Sequence, residues 1–389
     1  MTDDVVRLGA SSAVGRWVAM GPYYAMFPSS FAFEVVEAYS TPGAAVLDPF
    51  AGRASSIYAA AALQRSGWGI EINPVGWLYG RVKLGPASKH RVLGRISAIA
   101  AGSEAVDQPT LDAMPDFFLS CYTQEVLRFL LAARSALKWR TSAVDATLMA
   151  IILVNLHGKR SQSLSNQMRQ GKAMSPAYSV RWWADNDLTP PLIDPVRFLI
   201  DRVEWRYAKG LPNLSRGTMT LGDSTSQLPK LVQKVDRGEM KPFDLLFTSP
   251  PYFAITNYNY DQWLRLWMLG GADHPVRTGG PWQNKFDSKT KYCRLLEQVF
   301  NGCAAVMSRS ATVYVRTDAR EFTCQTTLDS LQSAFPKKHL DVISRPFTRS
   351  TQTALFGDKS PKPGEIDIVL RPMISKRSAA RAPRAKLDP

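Results

Sequence analysis

The chain has 389 residues, 45% of them hydrophobic and 10% aromatic, which is enough to bury a sizeable core and excludes global disorder. Lys and Arg total 48 against 33 Asp and Glu, a formal charge of +15. That excess does not bear on fold, but it favours a polyanionic partner or an anionic surface. Four cysteines (Cys121, Cys293, Cys303, Cys324) and four histidines (His90, His157, His274, His339) are scattered, with no CxxC, HxxxH or HExxH. We therefore expect neither a metal site nor a disulfide scaffold. The acidic start Met1-Thr2-Asp3-Asp4 lacks the apolar run of a signal peptide, and the longest apolar stretch, Met149 to Leu156, is too short to span a bilayer. The expectation is a cytoplasmic protein with no membrane partner.

In chain order, the first strand is Ala44 to Leu47, running into Asp48-Pro49-Phe50-Ala51-Gly52. A small-residue helix follows, Ser55 to Leu63, and then a second strand, Trp68 to Ile70, tipped by Glu71. This is a βαβ pattern with a glycine turn and an acid at the next strand's tip. From Leu84 to about Asn213 the pattern is helical. Apolar residues three and four apart mark a helix within Cys121 to Lys138, and Val144 to Leu156 reads as a buried helix. Strands resume at Thr218 to Leu221, before Gly222-Asp223, and at Asp244 to Phe247, before Thr248-Ser249-Pro250-Pro251-Tyr252. Three more follow at Ala311 to Val315, Leu340 to Ile343 and Ile366 to Leu370. The tail from Lys376 onward, rich in Arg, Lys, Ala and Pro, reads as disordered. The resulting division is a discontinuous α/β domain (1–83 and 214–372), a helical insertion (84–213) and a basic tail (373–389).

The turn after the first strand has the chemistry of a nucleoside-cofactor cradle. Gly52 lets backbone approach a ligand, and Glu71 can accept from ribose hydroxyls. A tight turn with no ligand gives the same sequence. Ser249-Pro250-Pro251-Tyr252 is more specific. Two prolines stiffen an extended loop, leaving Ser249 Oγ and a proline carbonyl as fixed acceptors beside the Tyr252 ring. Two acceptors and a stacking ring suit an exocyclic amino group on a base.

At these residues the chain resembles the amino-group DNA methyltransferases that use S-adenosylmethionine. Asp48-Pro49-Phe50-Ala51-Gly52 resembles the family's DPFxGxG cofactor loop. Tyr24-Ala25-Met26-Phe27-Pro28 resembles the FP segment near the methionine end of the cofactor, and Gly69-Ile70-Glu71-Ile72-Asn73-Pro74 the segment whose acid binds ribose. Gly222-Asp223 resembles the motif whose acid lies near adenine, and Ser249-Pro250-Pro251-Tyr252 the catalytic (S/N/D)PP(Y/F/W) motif. These pieces cover roughly residues 20–75 and 218–260. The resemblance implies a Rossmann-like methyltransferase fold, with a seven-stranded, mostly parallel sheet, flanking helices and the helical insertion.

It also implies cofactor contacts at Phe27, Pro28, Asp48, Pro49, Phe50, Gly52, Glu71, Asn73 and Asp223, and a catalytic Ser249-Pro250-Pro251-Tyr252. Ser in the first position is commonest in enzymes that methylate cytosine N4, and Asp or Asn in those that act on adenine N6. Three departures stand out. Ala54 replaces the second glycine of DPFxGxG, so the turn is expected to avoid positive φ there. Arg53 is larger than the usual small residue. The long insert lies between the ribose acid and Asp223 rather than beside the catalytic motif.

DNA is the implied partner, with or without a cognate restriction endonuclease. Gly158 to Ala184 contains five Lys or Arg and no acid. Lys159, Arg160, Arg169 and Lys172 are candidates to neutralise phosphates, Asn166 and Gln167 to position the strand or read base edges, and Tyr258 to line the base pocket. A solvated basic loop is the competing reading of this stretch, and a core role that of Trp263 and Trp267. Alternatives to cytosine methylation are adenine N6 methylation, an RNA base substrate, and a non-catalytic DNA-binding protein.

Overall fold

The computed structural model describes residues 8–22, 27–253, 258–276, 288–345 and 364–373. The tail from Lys376 lies outside them. The scaffold is a sheet of β1 (Ala45–Asp48), β2 (Ser66–Glu71), β3 (Gly217–Leu221), β4 (Phe243–Thr248), β5 (Met307–Asp318), β6 (Lys338–Arg345) and β7 (Glu365–Pro372). Its order is β3-β2-β1-β4-β5-β7-β6. All pairings are parallel except those of β7, which runs antiparallel to both β5 and β6. This is the seven-stranded, Rossmann-like sheet expected from the sequence. The central strands are almost wholly buried, as parallel strands covered on both faces must be.

One face carries Val46, Leu245, Phe247, Tyr314 and Val369 against α2 (Ser29–Tyr39), α3 (Ser55–Ala62) and α4 (Pro74–Leu84), with α1 (Ala13–Val18) beyond them. The other carries Leu47, Leu246, Val313, Val315 and Ile368 against α12 (Ser224–Asp236), α15 (Lys289–Val306) and α16 (Glu321–Ala334). Between α4 and β3 run α5 (Lys89–Ser103), α6 (Gln108–Asp112), α7 (Asp116–Cys121), α8 (Gln124–Ala136), α9 (Ala143–Asn155), α10 (Pro176–Asp185) and α11 (Pro195–Tyr207). The short helices α13 (Tyr258–Asp261) and α14 (Trp263–Met268) follow β4.

The inserted helices share one continuous core with the α2–α4 face of the sheet, through residues such as Leu78, Ile96, Leu130, Ile152 and Leu264. The insertion is therefore packed into the sheet layer rather than hung from it. The α9 helix is buried nearly all round, because Ser142 caps its start and no charged residue follows Asp145. Trp263 and Trp267 are core residues. Among the described residues no helix is long and apolar enough to cross a membrane.

Candidate active site at the C-terminal edge of the sheet

The acids singled out in the sequence gather where β1, β2 and β3 end. Asp48, the last residue of β1, is 1% exposed. Its Oδ1 accepts from Phe50 N at 3.0 Å and from Thr248 Oγ1 at 2.6 Å, and its Oδ2 accepts from the Ser56 hydroxyl. One carboxylate thus joins the turn after β1, the start of α3 and the last residue of β4 before the SPPY loop. Burial lifts its pKa from 3.8 to about 6, against the pull of these hydrogen bonds.

Glu71 closes β2 in the same manner. Its Oε2 accepts from Gly52 N at 2.7 Å and its Oε1 from Asn73 N at 2.7 Å. Burial raises its pKa to about 7. Gly52 has φ +53°, and a Cβ on Gly76 would stand 2.8 Å from the Gly52 carbonyl oxygen, so two glycines bring the first turn of α4 against the cofactor-type loop. Asn73 caps α4 through Oδ1, which accepts from Val75 N at 3.0 Å, while its Nδ2 is buried without a protein partner. Asp223 caps α12, accepting from Thr225 N at 3.0 Å, and the neighbouring Ser224 hydroxyl donates to the Pro49 carbonyl. Phe50 packs on the α12–α15 side of the sheet.

The turn contradicts one expectation. Ala54 sits at φ +62°, ψ +42°, in the left-handed region that the sequence reading excluded for it. Its methyl is fully buried, and a Cβ on Gly80 of α4 would lie 2.8 Å from it. The space a glycine normally leaves in the loop is here left by Gly80 in the facing helix. Arg53 is buried too. Its guanidinium donates to the Gly21 carbonyl at 3.0 Å, and its own carbonyl accepts from buried Lys83 Nζ at 2.8 Å.

The SPPY loop leaves β4 next to this turn. Pro250 is buried, and Pro251 and Tyr252 are half-buried. Ser249 Oγ donates to Tyr252 Oη at 3.5 Å, and Tyr252 Oη donates to Glu365 Oε1 at 3.3 Å. Glu365 Oε2 is 3.2 Å from Arg316 Nη1, and Arg316 forms a fork with Asp367 at 2.6 and 2.9 Å. The Arg316 guanidinium lies 3.5 Å from the ring centre of Phe31. Phe253 turns the other way, into a cluster with Tyr292 and Phe322. Upstream, Phe27 stacks on Phe247 of β4 at 4.8 Å and 12°, and Pro28 caps α2; residues 23–26 of that segment lie outside the described ones.

Sequence reading missed Ser56, Ser224, Arg316, Glu365 and Asp367. Two acids at alternate positions of one strand, Glu365 and Asp367, were the available signal, since i and i+2 share a strand face.

The acid-free stretch divides. Lys159, Arg169 and Arg181 are exposed, and Arg160 donates through Nε to the Thr189 carbonyl at 3.1 Å. Lys172 pairs with Asp261 at 2.6 Å. Asn166 is fully buried; its Nδ2 donates to the Leu188 and Ser120 carbonyls, and its Oδ1 accepts from Gln167 N. Gln167 Oε1 accepts from Arg160 N at 2.8 Å. The stretch is also stitched to the helices after SPPY. Gln262 Nε2 donates to the Gly171 carbonyl, Trp263 Nε1 to the Met174 carbonyl, and buried Arg265 to the Leu153 and Gln170 carbonyls. Tyr258 begins α13, but its side chain lies outside the described residues.

Comparison with known proteins adds the following. Residues 9–75, which hold α1, α2, the β1 turn and Glu71, match a family model described as DNA methylase. No curated protein matches the chain. Among solved structures, the chain is similar to the rRNA methyltransferase aviRa from Streptomyces viridochromogenes, at 12% identity over 94% of this chain and 93% of that one, with TM-score 0.36. It is similar to TrmN from Thermus thermophilus at 10% identity over 92% and 52%, TM-score 0.34. A SAM-dependent methyltransferase from Agrobacterium tumefaciens gives 11% identity over 89% and 63%, TM-score 0.36.

Proposed function

We propose that this chain is an S-adenosylmethionine-dependent methyltransferase acting on the exocyclic amino group of a base flipped out of DNA, namely cytosine N4. The observation that carries the reading is the joining of the DPFAG turn and the SPPY loop by one buried carboxylate, Asp48, with Glu71 closing the adjacent strand. The match of residues 9–75 to the DNA methylase model supports methylation of DNA.

The residues present fit the cofactor. The start of α4 lies so close to the Gly52 turn that a Cβ on Gly76 would meet the Gly52 carbonyl oxygen, and Asn73 Nδ2 is a buried donor awaiting an acceptor. A carboxylate offers about four acceptor positions, and the N–H groups of Gly52, Asn73 and Ile72 draw on Glu71, which leaves about one for a ribose hydroxyl. Asp48, which accepts from Phe50 N, Thr248 Oγ1 and the Ser56 hydroxyl, fixes the turn that Phe50 and Gly52 present. Asp223, with Phe27 and Pro28, completes the cofactor-facing rim. When bound, S-adenosylmethionine supplies a methyl group on a positively charged sulfur. Ser249 Oγ and the Pro250 carbonyl hold the two amine hydrogens and turn the nitrogen lone pair out of the ring plane. Tyr252 stacks the base, and loss of charge in transfer favours a dry pocket.

In this reading exposed Lys159 and Arg169 face the phosphates with Arg160 beside them, Lys172 is held by Asp261, Gln167 stays near the strand, and Asn166 holds the loop from inside. The experiment is transfer from methyl-labelled cofactor to DNA, with digestion and mass spectrometry of the nucleosides. N4-methylcytosine is expected, and Ser249→Ala is expected to abolish it while cofactor binding persists. N6-methyladenine alone would overturn the base, label only in RNA would overturn the substrate, and full activity in Ser249→Ala would overturn the site.

A further inference from the structure

We propose that Ser249 Oγ, Tyr252 Oη and Glu365 Oε1 form a relay that removes the proton released by the methylated amine, with Glu365 its terminal acceptor. The inference rests on the methyl-transfer reading above. In transfer, the amine nitrogen bonds the methyl carbon as the methyl–sulfur bond breaks and its electron pair stays on sulfur. The nitrogen is then cationic and must lose one proton. Ser249 faces it but cannot hold a second proton near neutral pH. It takes the amine proton while passing its own to Tyr252, which passes its own to Glu365. Serine and tyrosine end neutral and unchanged, and Glu365 ends as a carboxylic acid.

The hydrogen-bond directions support this order. Ser249 donates to Tyr252 and Tyr252 donates to Glu365, so both hydroxyl protons point away from the base site and leave the Ser249 lone pairs facing it. At 3.5 and 3.3 Å both contacts are long for O–H···O. Catalytic hydrogen bonds commonly tighten only when substrate binds. Glu365 is anchored at one oxygen only: Oε2 pairs with Arg316, which Asp367 holds from the other side and Phe31 supports from its face. Its side chain is 28% exposed, so the proton has a way out to water after turnover. Glu365 does not touch the base; it is a positioning residue that also ends the relay.

The groups around Glu365 are Tyr252 from the loop, Arg316 and Asp318 from β5, Asp367 on its own strand and Arg345, its register partner on β6. Burial raises its pKa, Asp367 and Asp318 add to the rise, and Arg316 and the Tyr252 hydroxyl oppose it; the net shift is upward. The acceptor is therefore lost as pH falls, at a pH above the usual glutamate range.

The test uses the full-length chain. Glu365→Gln keeps an oxygen for Tyr252 but cannot take a proton, and Tyr252→Phe keeps the ring but breaks the relay. Each is expected to lower the single-turnover methylation rate by roughly 100-fold, the low end of general acid–base effects, with cofactor Kd unchanged. The double variant is expected to be no slower than either single one, and, at cofactor concentrations saturating across the pH range, the acid limb of the wild-type pH–rate profile to vanish in Glu365→Gln. Independently of activity, NMR of cofactor-free protein labelled at glutamate 13Cδ should show, besides the Glu71 carboxyl, a second one titrating above the ordinary range. That signal should be absent in Glu365→Gln and moved in Tyr252→Phe. A wild-type rate and pH profile in Glu365→Gln, or losses that add in the double variant, overturns the relay alone. A folded, cofactor-binding wild type that methylates no nucleic acid overturns the relay and the function together. If Glu365→Gln does not fold, Tyr252→Phe carries the same rate and pH comparison.

Discussion

Asp48→Asn is expected to stabilise the protein at pH 8 and weaken it in acid. Burial raises the Asp48 pKa from 3.8 to about 6, so ionising it in the folded protein is harder than in the unfolded chain. A group with a raised folded pKa stabilises fully below its unfolded pKa and loses that contribution as pH rises through the folded value. A difference of about two pH units corresponds to ~3 kcal/mol, all of it lost above pH 6 to 7. Asparagine carries no charge to desolvate. Its Oδ1 can still accept from Phe50 N and Thr248 Oγ1, and its Nδ2 can donate to Ser56 once that hydroxyl turns round. Reversing that one bond costs ~1 kcal/mol, leaving a net gain of about 2 kcal/mol at pH 8. For a chain of 389 residues that is a rise in Tm of roughly 2 °C. Thermal melts of both proteins from pH 4 to pH 8 are the assay, and the curves should cross at about pH 4.5. If the asparagine variant melts below wild type at pH 8, the ionised carboxylate is a net stabiliser and the argument from burial is refuted.

Further expectations follow from the same edge of the sheet. Gly80→Ala would drive a methyl against that of Ala54 and should cost ~1–3 kcal/mol; Ala54→Gly should restore at least ~0.5 kcal/mol of it in a double-mutant cycle read by urea melts. Because Glu71 titrates at about 7, affinity for S-adenosylmethionine measured by calorimetry should rise with pH from 6 to 8 in wild type; in Glu71→Gln it should be weaker and flat. Replacing exposed Lys159 and Arg169 by Ala should reduce the slope of log K for DNA against log salt by roughly 2, with cofactor affinity unchanged; an unchanged slope would return the segment to a solvated loop.

The order of strands and the residues at their tips could be read directly, because parallel strands buried on both faces make short apolar runs and the site lies where those runs end. Ala54 could not, since its backbone depends on room left by Gly80 in another helix. Asn166 looked like a surface amide, but its partners are the Ser120 and Leu188 carbonyls, 46 and 22 residues away in the chain. Lys172 looked free for phosphate, but its partner Asp261 lies beyond β4. Glu365 joins the site only through the antiparallel return of β7, a pairing that leaves no local mark. The insertion looked like a separate unit because its helical pattern differs from that of the strands. Its core is shared with the sheet, since the apolar side chains of α4, α5 and α9 pack on one another, on α8 and α11, and on that face.

The stitching of Gly171 and Met174 to α13 and α14 has a consequence for modular exchange. Where a recognition segment is a free-standing cassette, shuffling genes can swap one specificity for another at two loop boundaries. Here the replaced segment would remove the Gln170 and Leu153 carbonyls from buried Arg265 and the lysine from Asp261, both within the helices that follow the SPPY loop. A donor insert would have to bring equivalent partners, or the recipient lose order beside its own active site. On the proposed reading of this segment as the DNA-contact region, new specificities should therefore arise through point changes at exposed positions such as Lys159 and Arg169, rather than by transplantation of the whole segment.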